Sequence, residues 1–226
     1  MNIGADISLG ELVTTHPTAT RVLMRHGLDF CCGGQAPLAR ACADAGLDID
    51  VVVAELSVDL AGCEERNWAE ASVAELIQHL LDVYHAPVPE EVEQIQGLAN
   101  RVLEVHGAKD PERLEALAHT FAELAMELSA HMVKEEQILF PCVLGGHMPL
   151  PRQPIAVMQH EHDNAGRMLK KLHMLTDGYN PPEGACGTWR ALYARLEAFD
   201  RELRLHIHLE NNVLFPRALG GGSEMA

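Results

Sequence analysis

Two stretches of this chain repeat each other: His131-Met-Val-Lys-Glu135 leading into Leu139-Phe140-Pro141, and His206-Ile-His-Leu-Glu210 leading into Leu214-Phe215-Pro216, with the same spacing throughout. Residues four apart on an α-helix are about 40° from one another and roughly 6 Å along the axis, so each pair presents a nitrogen and an oxygen donor side by side. A single His/Glu pair at this spacing is commonly a solvated surface pair. Here both copies are set among apolar residues, Leu124, Leu128 and Ile138 around the first and Leu203, Val213 and Leu214 around the second. A buried carboxylate is costly unless it is paired or bound to a metal. The duplication therefore predicts two helices that grip metal ions between them.

The elements that must position these donors are helices. Aromatic content is 4% and β-branched alternation is nearly absent, while Ala, Leu, Glu and Arg dominate long periodic stretches, so the fold class is all-α. Ser8 with Glu11 and Ser72 with Glu75 match the capping-box pattern, and Asp110-Pro111 places a capping residue before a first-turn proline. Gly107, Gly145-Gly146 with Pro151 and Pro154, the stretch from Gly178 to Gly184, and Gly220 to Gly222 mark the breaks. The punctuation predicts four long helices at about 72–106, 111–141, 153–176 and 187–217, an up-down-up-down four-helix bundle over 68–220. A small helical domain over 1–62, broken by Gly27, Gly33-Gly34 and Gly46, precedes it, with Cys63 to Trp68 as the linker.

The cassettes occupy the second and fourth long helices, so the first and third should supply the remaining ligands. On the third, His162 shares a stripe with Met158, Ala165, Leu169 and Leu172, whereas His160 lies with Asn164, Arg167 and Lys171 on the wet face. On the first, His85 follows Ile77, Leu81 and Tyr84, and equal chain lengths on either side of the turn near Gly107 bring it level with His131. His79 falls on a polar face, and His106 stands at the turn itself, as an outside candidate whose ordinary role is to cap a helix C-terminus. The predicted metal set is His85, His131, Glu135, His162, His206 and Glu210. Four imidazoles and two carboxylates are too many for one tetrahedral zinc but suit two carboxylate-bridged ions with open positions, iron first, then manganese, then zinc. Glu136, Glu161 and His208 are phased about 100° or more from their neighbouring ligands, which makes them solvated or supporting residues.

Composition excludes several classes. No apolar run approaches the ~20 residues that cross a membrane, and the first residues lack a basic start and an apolar stretch, so the expected location is cytoplasmic. A formal charge of −16 disfavours nucleic acid and anionic membranes as partners. Six cysteines in such a chain are expected to be reduced, redox-active or metal-binding. Cys31 and Cys32 are adjacent, and closing a disulfide between neighbours strains the peptide. They are either small core residues in a tight turn or, as Gly33-Gly34 favours, part of an exposed, mobile loop. An exposed thiol pair can ligate a soft metal, accept nitric oxide or exchange with a disulfide. Cys42, Cys63, Cys142 and Cys186 show no cluster spacing and read as packing or surface thiols.

The arrangement of His, His-x-x-x-Glu, His and His-x-x-x-Glu on successive helices resembles the hemerythrin-like di-iron domains. More narrowly, the chain resembles the repair of iron centres family, the ScdA-like di-iron proteins. The matching stretches are Asp29-Phe-Cys-Cys-Gly-Gly34, Tyr84-His85, Val105-His106-Gly107, His131 through Pro141, Glu161-His-Asp-x-Ala-Gly166 and His206 through Arg217, so the resemblance covers essentially the whole chain. Ala86-Pro-Val-Pro89 departs from the charged helical segment expected after His85. The resemblance implies a non-haem di-iron centre, oxo- and carboxylate-bridged, and repair of iron-sulfur clusters damaged by nitrosative or oxidative stress through donation of labile iron. In that reading Cys31 and Cys32 are the working thiols. Damaged iron-sulfur proteins are then the partners, with nitric oxide or oxygen species as small ligands. Reduction of nitric oxide, or its binding and that of oxygen by a sensor, is the alternative use of the same centre. Oligomeric state, a homodimer included, is left open.

Overall fold

The computed structural model describes residues 3–59, 67–145 and 152–220. Among these residues there are helices and no strand, apart from an isolated antiparallel bridge between Ser8 and Pro37. The all-helical class expected from composition is what is found. Most of the predicted linker, together with Gly146 and Pro151, lies outside the described residues. The chain divides into two compact units; the described part of one comprises 3–59, 67–76 and 204–220, and that of the other 77–145 and 152–203.

In the first unit, α1 (Leu9–Thr15), α2 (Thr20–Arg25), α3 (Leu38–Asp44) and α4 (Ile49–Asp59) form a small helical cluster. Ser8 caps α1, its Oγ accepting the Glu11 N–H at 3.1 Å. Leu9, Leu12, Leu23, Phe30, Leu38 and Leu56 are buried, which supplies the hydrophobic stabilisation that such short helices need. Helix α1 packs on the segment Leu209–Leu214, which belongs to the same unit.

The second unit is built on longer helices. Helix α5 (Val73–His79) leads into it, and Ser72 and Glu75 make the predicted capping box in both directions. Helices α6 (Val88–His106) and α7 (Pro111–Lys134) pack together, as do α7 and α9 (Arg152–Leu175), with the short α8 (Phe140–Leu144) between them in sequence. Helix α10 (Gly187–His208) closes the unit through its middle: Phe121 meets Phe199 edge to face at 5.5 Å, and Arg195 pairs with Glu91 at 2.7 Å. The Tyr179 hydroxyl donates to buried Asp200 at 2.8 Å, pinning the loop between α9 and α10. Asp110 makes no side-chain cap; Pro111 alone opens α7.

The expected helices 72–106, 111–141 and 187–217 are each interrupted by a wider π-helical turn, at Leu80–His85, Glu135–Leu139 and Leu209–Leu214. A proline follows each within two residues: Pro87, Pro141 and Pro216. A proline inside a helix has no N–H to donate and its ring clashes with the carbonyl four residues back. Shifting to bonds five residues apart, as in Ala86 N–H to Leu81 at 2.9 Å, moves that carbonyl aside without ending the helix. Helix α9 stays regular because Pro154 sits in its first turn, where the N–H has no intrahelical partner. All three wide turns fall at predicted metal ligands. Helix α11 (Phe215–Gly220) completes the described chain.

Candidate metal centre

In the second unit four predicted ligands converge. His131, in the last turn of α7, places Nε2 3.1 Å from Oε1 of Glu135, the first residue of the wide turn. His85, ending its own wide turn, places Nε2 3.6 Å from Oε2 of the same carboxylate. His162, on α9, brings Nε2 to 2.9 Å from His131 Nε2. All four side chains are buried, Glu135 completely.

The outer nitrogens decide what the inner ones offer. His131 Nδ1 is 2.7 Å from Glu161 Oε2, and His85 Nδ1 is 2.9 Å from Glu136 Oε1. A carboxylate accepts only, so each ring carries its proton on Nδ1 and turns an Nε2 lone pair inward, an assignment made from the hydrogen-bond network. Burial raises the Glu161 carboxyl, but bonds from Lys134 and His131 outweigh it and hold the group below its usual range. Lone pairs from two imidazoles facing a buried carboxylate repel it unless a cation lies among them. Imidazoles oriented by outer carboxylates are the usual way proteins prepare histidine for metal. The residues present therefore fit a metal ion.

In the first unit, His206 Nε2 lies 3.1 Å from Glu210 Oε1, and both residues are buried. His208, two residues on and facing the other way, serves a different purpose: Nε2 is 3.3 Å from Thr14 Oγ1, Nδ1 is 3.2 Å from Asn212 Nδ2, and the ring meets Phe30 edge to face. Burial pushes its imidazole down to about 4, so it remains neutral near pH 7. Asn212 Nδ2 also donates to the carbonyls of Phe30 and Cys31, and Asn211 Nδ2 to that of Cys31, each at 3.2 Å.

These bonds fix the Cys-Cys-Gly-Gly segment, which sequence reasoning expected as an exposed, mobile loop. Cys31 is buried and Cys32 half-buried. A Cβ on Gly34 would lie 2.4 Å from Asn212 Oδ1 and 2.7 Å from the Phe30 carbonyl, so glycine serves close approach here rather than mobility. The two sulfurs are thiols in contact at 3.7 Å rather than a disulfide, and Asp29 Oδ1 accepts from the N–H of both cysteines and from the Cys31 S–H at 3.2 Å. The hydrogen bond with Cys32, then burial and the charges of Cys32 and Asp29, push the Cys31 thiol well up against the opposing pull of Arg204. Asp29, Cys31 and Cys32 have ligand atoms close enough to share a metal ion.

Residues 76–218 match the model of the hemerythrin HHE cation binding domain, and residues 5–59 match ScdA_N, a domain of unknown function (DUF542). The chain belongs to the hemerythrin family, in its ScdA-like branch. It is 44% identical over 217 residues, covering 96% of this chain and 98% of the relative, to a protein named iron-sulfur cluster repair protein YtfE from Pectobacterium atrosepticum. To the protein of the same name from Yersinia pseudotuberculosis it is 43% identical over 215 residues, covering 95% and 97%.

Within this hemerythrin-family chain the remaining expectations sort by burial. His160 is exposed while His162 is buried, as the helical stripe predicts. Glu136 and Glu161 are supporting residues held on the outer nitrogens of His85 and His131, and His208 is buried packing rather than solvated. His106 belongs to none of the His/Glu groups able to share a metal among the described residues. Ile138 is 62% exposed and does not wall the first cassette. Lys134, Asn211 and Asn212 were not singled out from the sequence. Asn-Asn directly after Glu210 is the signal that could have pointed to the last two, since two adjacent amides are natural holders of backbone carbonyls. No helix among the described residues is long and apolar enough to cross a membrane.

Proposed function

We propose that this protein repairs iron-sulfur clusters damaged under nitrosative or oxidative stress by supplying iron from a di-iron centre. The carrying observation is the inward set of imidazole lone pairs around Glu135, each ring held by an outer carboxylate. His206 and Glu210 add the duplicated pair within the same family domain. The ligands proposed for the centre are the six expected from the sequence, His85, His131, Glu135, His162, His206 and Glu210, whose four imidazoles and two carboxylates would suit two ions. Iron held by these residues would supply labile metal and could take small ligands such as nitric oxide or oxygen. Glu135 and Glu210 offset the ions' charge in a buried setting, while Glu136 and Glu161 keep the rings turned inward.

Iron leaving the centre as cargo needs a softer acceptor than carboxylate. Cys32, the outer of the two thiols, is the proposed first acceptor, and Cys31 follows once its proton is released toward Asp29. The names of the relatives support repair as the role.

The test uses full-length protein loaded with iron and a cluster enzyme inactivated by nitric oxide. Wild type should bind roughly two irons per chain, as the donor count of a dinuclear site implies, and restore the enzyme. Cys31→Ser with Cys32→Ser should retain the iron and lose the restoration. Restoration at the wild-type rate by the double variant sinks the thiol role. Sustained consumption of nitric oxide with a reductant, without iron transfer, would replace repair by nitric oxide reduction.

A further inference from the structure

The N-terminus of α10 carries a second arrangement of reactive groups, in the second unit and independent of the proposed repair reading. Cys186 immediately precedes this helix, and its carbonyl accepts the Arg190 N–H at 3.1 Å. Its Sγ lies 3.3 Å from His106 Nε2, at the C-terminal end of α6. The backbone N–H of Trp189, with that of Thr188 and its hydroxyl, aims at the sulfur and outweighs burial, holding the thiol below its ordinary range. Cys186 is half-buried, so reagents can reach it.

Unsatisfied polar groups gather at the same place. His106 Nδ1, Trp189 Nε1 and Tyr193 OH are all buried with no hydrogen-bond partner among the described residues. They form one stack: the His106 and Trp189 rings are 4.9 Å apart, and Trp189 meets Tyr193 edge to face at 6.3 Å. Tyr193 is fully buried. Buried groups left without partners are rare in folded proteins and call for a reason. His106 is the member of this stack that touches the sulfur, so a small polar adduct on Cys186 would meet the open end of that stack.

We infer that Cys186 is a site of reversible S-thiolation, at which the sulfur, partnered by His106, exchanges with a low-molecular-weight disulfide. In the step, the Cys186 proton passes to His106 Nε2 and the thiolate attacks one sulfur of the small disulfide. A new bond forms between Cys186 Sγ and that sulfur, the original sulfur–sulfur bond breaks, and the departing thiolate takes up the proton. Excess free thiol reverses the step. Helix α7 separates the site from the metal centre: it begins just past His106 and carries His131 in its last turn, on the order of 30 Å away along the axis.

The experiment exposes reduced, iron-loaded, full-length protein to glutathione disulfide and follows each cysteine by peptide mass mapping over time. Cys186 should form the mixed disulfide ahead of Cys142 and Cys32, which are also half-buried. Tryptophan emission should change in step with the adduct, because Trp189 borders it. His106→Gln should slow the reaction by about a hundredfold, the low side of what a positioned acid–base group contributes. Cys186→Ser should abolish the fast phase and leave iron content unchanged. Labelling of Cys142 or Cys32 as fast as Cys186 in the wild-type protein overturns the inference, and so does an unslowed, folded His106→Gln.

Discussion

Changing Glu161 to Gln removes one negative charge and leaves shape nearly unaltered, so it isolates what an outer carboxylate does for a ligand. Glu161 holds His131 Nδ1 at 2.7 Å and also bonds Lys134. With an amide in its place, the His131 ring keeps at most a neutral carbonyl acceptor on Nδ1 and loses the negative charge that raises the basicity of Nε2. Outer partners of metal-bound histidines typically contribute 10- to 100-fold in affinity, about 1.4–2.8 kcal/mol. The metal-free protein should respond differently. Lys134 and Glu161 have side chains 39% and 28% exposed, so their pair contributes at most about 1 kcal/mol to folding. Competitive iron titration against a chelator, beside urea unfolding of metal-free protein, separates the two effects. Expected is a 10- to 100-fold loss of affinity with an unfolding midpoint close to wild type. Unchanged iron affinity would refute the orientation argument, and so would an unfolding loss large enough to account for the weaker binding.

Glu136→Gln should weaken iron binding to a similar degree through His85, measured by the same titration. His162→Ala should strip iron while His160→Ala retains it; the reverse result in metal analysis would show that the stripe on α9 was misjudged. Gly34→Ala must push Asn212 or the Phe30 carbonyl aside, and overpacking of this kind costs about 1–3 kcal/mol, which differential denaturation of the full chain should register. His208→Ala should leave iron content nearly unchanged while lowering stability by about 2–4 kcal/mol, as other large-to-small changes at buried sites do; loss of iron without loss of stability would make it a ligand instead.

Periodicity and spacing carried most of the second unit. His131 with Glu135, and His206 with Glu210, were legible because helical geometry makes a four-residue spacing a statement about shared direction. His162 was separable from His160 because an apolar stripe and a wet face differ in composition. The three wide turns were not read, although Pro87, Pro141 and Pro216 stood in plain view. A proline states only that the regular bond is lost, and whether the helix ends, bends or widens depends on what packs around it.

The Cys-Cys-Gly-Gly segment shows the same limit. Two glycines are equally consistent with a mobile loop and with a close approach, and composition does not distinguish them. Only Asn211 and Asn212, about 180 residues away in sequence, decide for close approach by holding the Phe30 and Cys31 carbonyls. Likewise Cys186 carried no spacing signal, because its partner His106 comes from another helix. Local sequence determined which residues face inward along each helix. Tertiary packing decided which nitrogens are left with lone pairs, which thiol is sheltered and which is poised, because those properties belong to the neighbours a side chain acquires rather than to its own position in the chain.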